Sequence, residues 1–259
     1  MYTFNESAHV HSLDGQPLMG TSTVIKDVMP PFLAKWGASC AADYIALAGK
    51  PIYELEGVNF EDTYLVTGKQ IKDSVSAWSK VRQKAADKGT DMHADMEKYV
   101  VRMITDFDGR PQLLNDADTK DEAWEKVQKF AEWANANVKR FVFAEKNTYS
   151  KTLWVGGVID CVAEMNDGTF AIIDFKSSKE AYFNQFVQCA GYAYQVEESG
   201  WGNADGSEWN EPLKIGKLII IPFGGKTLKP ETIENVQGYK EVFAHVVEIY
   251  KYLSSFNKK

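Results

Sequence analysis

Asp160, Asp174 and Lys176 flank a short turn-forming segment, Met165-Asn166-Asp167-Gly168-Thr169, between two apolar stretches that read as strands. Two loops fit this segment. A two-residue Asp-Gly turn sets Asp160 opposite Phe175 and sends Asp160 and Asp174 to opposite faces. A three-residue loop, Asn166-Asp167-Gly168 with Gly168 left-handed, pairs Met165 with Thr169 and, counting outward, Asp160 with Asp174. In that register Asp160, Asp174 and Lys176 share a face, because strand side chains alternate with period two. Two carboxylates whose Cβ atoms lie about 4.5–5.5 Å apart repel unless a cation joins them. A hard divalent ion with oxygen ligands at about 2.1 Å, such as Mg²⁺, does so. An ammonium beside it completes the parts of phosphodiester hydrolysis: a metal-activated water, Lewis-acid help and a positive side chain. The bland alternative is an Asp–Lys ion pair on a wet sheet face. Against it stand Val155, Val158, Ile159, Ile172, Ile173 and Phe175, which mark strands buried on much of both faces, where a charge needs a partner.

Other residues are candidates for accessory roles. Ser178 and Lys179 lie two and three residues after Lys176. On the next helical stretch Gln185, Gln188 and Tyr192 recur three and four apart, a spacing that aims them at a common partner such as a phosphate or nucleotide; a merely polar helix face is the alternative. Upstream, His93 offers a neutral imidazole ligand, with Glu97 one turn beyond as an outer carboxylate. Glu145 ends the first predicted strand, and Ser22 and Thr23 lie in the N-terminal GTSTVI segment.

The elements that must position these residues change period along the chain. Gly20–Ile25 is β-branched and reads as extended. Pro30 and Pro31 precede a helix to Ala48; Lys69–Lys88 is helical up to a break at Gly89; Asp91–Ile104 is helical again, followed by a DFDGRP loop. Thr119 caps a helix to Asn137, with Asp121 and Glu122 in its first turn. Strands are expected at Val138–Phe143, Leu153–Ala163, Phe170–Phe175 and Lys217–Phe223, and helices at Glu180–Glu197 and Val236–Phe256. Helices, then a sheet, then helix–strand–helix predict an α+β fold, with a central mixed sheet, an antiparallel hairpin and flanking helices. One domain over 1–259 is the simplest organisation, with a helical part to about residue 137 and a sheet-containing core beyond.

The net charge of −7 counts against a high-affinity, non-specific DNA coat protein but does not exclude a groove that grips a few phosphates. Lys139, Arg140, Lys179, Lys226 and Lys229 are candidates to line such a path. Three scattered cysteines, Cys40, Cys161 and Cys189, form neither a disulfide framework nor a CxxC site, so buried thiols are expected and no iron–sulfur cluster. No apolar stretch reaches the roughly 20 residues of a membrane span, and the start lacks a secretion-signal pattern. A cytoplasmic location is the expectation.

Taken together, these motifs resemble the PD-(D/E)XK nuclease superfamily, in particular RecB-like exonuclease domains. The family's glycine-led aspartate strand is similar to GGVID ending at Asp160, and its acidic-x-lysine strand to IIDFKSS with Asp174 and Lys176. Its Q-x-x-x-Y helix is similar to Gln188–Tyr192, and its upstream histidine pattern to Gly89, Thr90, His93 and Glu97. GTSTVI followed by FLAKWGA resembles the N-terminal part of phage and mitochondrial genome maintenance exonucleases. The resemblance implies a restriction-endonuclease-like core, Mg²⁺ or Mn²⁺ as cofactor, and DNA ends or single strands as substrate. It implies His93, Asp160, Asp174 and the Phe175 carbonyl as metal ligands, with Lys176 catalytic. The third motif carries Asp174 where restriction enzymes commonly have Glu. No phosphate loop of the G-x-x-x-x-G-K-[ST] type is present, so unwinding would fall to a helicase or recombinase partner. An endonuclease of the same fold, or a DNA-binding or assembly protein without catalysis, are the alternative functions.

Overall fold

The computed structural model describes residues 1–30, 34–48, 50–51, 64–114 and 122–256. At the N-terminus β1 (Tyr2–Asn5), β2 (Val10–Leu13) and β3 (Gln16–Pro17) form a small antiparallel sheet. β4 (Met19–Gly20) leads into α1 (Thr21–Val28). After these come α2 (Ala34–Ala48), β5 (Lys50–Pro51), β6 (Tyr64–Leu65), α3 (Gly68–Phe107) and α4 (Glu122–Asn137). The remaining elements are β7 (Val138–Ser150), β8 (Val155–Met165), β9 (Phe170–Lys176), α5 (Phe183–Ser199), β10 (Lys217–Pro222), β11 (Glu231–Ile233) and α6 (Val236–Phe256). The expected Thr119 cap, Asp121 and Pro31 lie outside the described residues.

The fold is α+β. Its main sheet runs β11-β10-β9-β8-β4, with β7 also paired to β8. β9 and β10 are parallel, and β7, β8 and β9 are successively antiparallel. Both faces are covered. On one, Met96, Tyr99, Val100 and Met103 of α3 and Phe130, Ala131 and Ala134 of α4 pack on Phe141, Cys161, Ile173 and Phe175. On the other, Phe186, Cys189, Ala190 and Ala193 of α5 pack on Val162, Ile172, Leu218 and Ile220. Burial on two sides explains the unbroken Ile run in β10, where alternation would expose every second residue. Among the described residues no helix is long and apolar enough to cross a membrane.

Contacts divide the chain into two compact units, Met1–Pro30 with Asp91–Lys259, and Pro31–Thr90; the sequence reading has a single domain. Within the second unit, Thr67 and Gln70 close a reciprocal cap at the start of α3: the Thr67 N–H donates to Gln70 Oε1 (2.7 Å) and the Gln70 N–H to Thr67 Oγ1 (3.2 Å).

Two local expectations fail. The GTSTVI segment is helical from Thr21, not extended, because its branched residues repeat at helical spacing. Thr21, Val24 and Ile25 are buried, and Val24 and Ile25 pack with Val155, Val187 and Phe243; tertiary packing overrides β propensity. Gly89 does not break the helix, since α3 runs through it. A single internal glycine costs only about 1 kcal/mol.

Candidate functional site

The β8–β9 turn is the three-residue loop. Gly168 has φ 82°, its N–H donates to the Met165 carbonyl, and the Met165 N–H donates to Thr169. The ladder runs from Glu164↔Phe170 to Cys161↔Ile173 and then stops. Further along the same edge of β8, β4 pairs with Val155 and Gly156. The stretch 157–160 between them has no strand partner on that side among the described residues. A cleft of about 590 Å³ opens here, lined by His93, Glu145, Asp160, Lys176 and Tyr192 among others.

Asp160 sits where the strand's alternation slips. Ile159 belongs to the α5-side core and Cys161, two residues on, to the α3-side core. The Asp160 carboxylate therefore leaves the face that period-two counting assigns to it. Its Oδ2 accepts the Phe175 backbone N–H (2.8 Å) and the His93 Nε2–H (2.9 Å). Across the β7–β8 ladder, Ala144↔Cys161 and Lys146↔Ile159 bracket Glu145 and set it opposite Asp160. Glu145 has φ 48°, a left-handed backbone that costs a non-glycine residue about 1–3 kcal/mol and tends to mark a functional site. One ligating atom each from His93, Glu145 and Asp160 converge within 4.8 Å of one another.

Asp174 takes a different partner. Almost fully buried, it lies 2.5 Å through Oδ2 from Lys176 Nζ. The contact is an ion pair rather than an aligned hydrogen bond, and that oxygen has no hydrogen-bond donor. The ligand set read from the sequence thus has Asp174 where the structure gathers Glu145. The physical cause is the slip at Asp160, which turns one carboxylate toward α3 and leaves the other on the α5 side.

The charges polarise one another. The hydrogen bond to Asp160 raises His93 to about 9 despite its burial, so the imidazole is protonated at neutral pH. Burial pushes the Asp160 carboxyl up, but the His93 hydrogen bond and the Lys176 charge outweigh it and hold it below the usual carboxylate range. Glu145 rises to about 8, first through burial and then through repulsion from Asp160 and Glu97. Its Oε1 is buried without a hydrogen-bond partner. Asp174 is raised by burial, against the pull of Lys176. Burial also opposes the Lys176 charge, yet the carboxylates of Asp174 and Asp160 overcome it and keep the ammonium charged.

The opposite wall is built by α1 and α5. Gln188 Nε2 donates to Tyr192 Oη (2.8 Å) and Ser22 Oγ (3.0 Å), and Ser22 Oγ lies 3.3 Å from Tyr192 Oη. Glycine at 157 lets the Tyr192 ring lie against β8: a Cβ there would stand 2.6 Å from Tyr192 Cε1 and 3.1 Å from Thr21 Oγ1. Gly157→Ala is expected to destabilise the protein by about 1–3 kcal/mol, measured by urea denaturation. An unchanged midpoint would show that Tyr192 is not held there.

Of the remaining expected residues, Glu97 lines the cleft with His93. Gln185 and Ser178 do not reach it. Because α5 begins at Phe183 rather than Glu180, Gln185 occupies its first turn: Oε1 accepts the Tyr182 N–H (2.9 Å) and Nε2 donates to Ser178 Oγ (3.1 Å), pinning the loop after Lys176. Lys179 is exposed on that loop, and Lys139 and Arg140 are engaged by Glu164. Sequence reasoning missed the N-terminal hairpin, whose Phe4, His9 and His11 also line the cleft. The readable signal in this sheet was Asp14-Gly15, a two-residue turn with φ 49° and 75° that joins the paired Leu13 and Gln16 of β2 and β3; the Glu6–His9 turn between β1 and β2 has no such marker. Compared with known proteins, the chain matches no protein-family model and no curated protein.

Proposed function

We propose that the protein is a divalent-metal-dependent DNA exonuclease of the cytoplasm. The observation that carries this is the cleft where the His93–Glu145–Asp160 cluster meets the half-buried Lys176 ammonium; the ordered motifs that resemble the PD-(D/E)XK superfamily support it independently. The donor set suits a hard cation: two carboxylates and an imidazole, with Glu145 Oε1 buried and without a donor. His93, Glu145 and Asp160 would hold Mg²⁺ or Mn²⁺, with the Phe175 carbonyl implied by the resemblance. When bound, the ion polarises the phosphoryl oxygens and lowers the pKa of a water. In the protein alone a proton on His93 Nε2 bridges to Asp160 Oδ2, so cation binding must release it.

Lys176, paired with Asp174 and facing the cleft, stabilises charge that builds on the phosphate in the transition state. Gln188, Tyr192 and Ser22 place hydroxyl and amide groups on the facing wall, where they can hold a neighbouring phosphate or sugar. Glu97 adds negative charge near the cluster and disfavours a second unneutralised phosphate there.

Incubation of end-labelled linear DNA and covalently closed circular DNA with Mg²⁺ tests the function. Linear DNA is expected to be shortened and the circle spared, with the Asp174→Ala variant inactive on both. Cutting of the circle would favour an endonuclease. No cutting of either, or equal cutting by the variant, would contradict metal-dependent hydrolysis at this site.

A further inference from the structure

We infer that the N-terminal hairpin is a stacking wall for an unpaired base, so that the cleft takes single-stranded DNA and not duplex. The inference rests on the nuclease reading for the identity of the ligand, but the wall stands on its own geometry. Phe4, half-buried, stacks on His11 (centroids 4.3 Å apart, 19° between planes). His11 is itself fixed: Tyr2 Oη lies 2.6 Å from its Nδ1 and donates to Asn147 Oδ1 (3.0 Å). Burial lowers His11 to about 4 and leaves it an uncharged ring behind Phe4. The Phe4 N–H donates to the Ala204 carbonyl (2.7 Å), anchoring the strand from its other edge. His9 is exposed, sits edge-on to Phe4 (5.5 Å, 73°) and is held in a left-handed backbone at φ 53°. That conformation closes the turn between β1 and β2, where the His9 N–H donates to the Glu6 carbonyl (3.3 Å) and Asn5 pairs with Val10. Both rings line the same cleft as His93 and Lys176.

Charge points the same way. Among the described residues Lys176 is the one Lys or Arg lining the cleft, against Glu6, Glu97, Glu145 and Asp160. Beyond the metal cluster, the described lining gives a bound strand few basic side chains to grip, which favours a non-ionic source of affinity. Base–aromatic stacking is such a source and tolerates any sequence. It also selects against duplex, in which both faces of each base are already covered by neighbours.

Fluorescence anisotropy of a labelled thymidine pentamer tests this, alongside an abasic pentamer of equal charge and a short duplex, with Ca²⁺ in place of Mg²⁺ and again with EDTA. The wild-type protein is expected to bind the thymidine pentamer about tenfold or more tightly than the abasic one, and the duplex more weakly still. Phe4→Leu, which keeps apolar bulk against His11, and His9→Ala are each expected to weaken pentamer binding about tenfold and leave abasic binding unchanged. Phe4→Tyr should restore it, which a purely structural role of the ring edge would not require. Equal binding of thymidine, abasic and duplex probes, no pentamer binding at all, or unchanged affinity in both folded variants would overturn the inference. Mg²⁺-dependent cleavage assayed on the same samples separates the two failures. Cleavage without base-dependent binding sinks only the wall; base-dependent binding without cleavage sinks only the nuclease.

Discussion

Asp160→Asn is expected to lower Mg²⁺-dependent cleavage on the order of 10³-fold while the protein stays folded. An amide oxygen can still accept the Phe175 N–H, so the divergence of β8 and β9 persists. What disappears is the charge that binds a cation, that raises His93 and that helps keep Lys176 protonated. The stability cost is expected to be about 1–3 kcal/mol, that of weakening a buried hydrogen-bonded pair. Steady-state rates beside a melting curve check both parts. Retention of a tenth or more of the activity would mean that Asp160 is not at the reacting centre.

Glu145→Gln is expected to act in opposite directions on stability and on metal binding. The folded protein holds Glu145 at about 8 against an ordinary 4.5. A group raised on folding binds its proton more tightly in the native state. Its stabilising contribution is therefore complete below about 4.5 and lost as pH rises through about 8. His93, raised from 6.5 to about 9, has the same sign over the higher window. The metal-free protein should thus melt at falling temperature from pH 5 to pH 9. Glu145→Gln removes the first part of that fall, worth on the order of a few kcal/mol, or roughly 5–10 °C. Saturating Mn²⁺ should raise the melting temperature at pH 8.5 and do little at pH 5, where both ligands keep their protons, and the variant should lose most of this gain. A melting temperature independent of pH, or a variant that responds to Mn²⁺ as the wild type does, would exclude Glu145 from the site.

Glu145 also shows why part of this site is illegible in the sequence. A glutamate within a strand gives no sign that its backbone will turn left-handed, and the turn depends on β7 meeting β8 in a register that itself contains bulges. The slip of alternation at Asp160 is hidden for a similar reason. It arises where β9 leaves β8 before β4 joins it, a property of three strands at once. Local chemistry reads well by contrast. Asn166-Asp167-Gly168 specifies its loop and the register up to Cys161, and Gln188 and Tyr192 meet because they lie one helical turn apart. Asp14-Gly15 is equally specific for the β2–β3 turn, but the Glu6–His9 turn that brings β1 against β2 at the cleft carries no glycine or proline to announce it. Thr21–Val28 misleads by residue type, although its spacing is helical and its buried side matches α5 and α6.

The most direct test of the central claim is anomalous diffraction from crystals soaked in Mn²⁺ at pH 8.5, where His93 and Glu145 are nearest to releasing their protons. A Mn²⁺ peak is expected within bonding distance, about 2.0–2.3 Å, of His93 Nε2 and the Asp160 carboxylate, with Glu145 completing the protein ligands and Lys176 close by. No peak in the cleft under saturating Mn²⁺, or a peak that touches neither His93 nor Asp160, would contradict a metal-dependent centre.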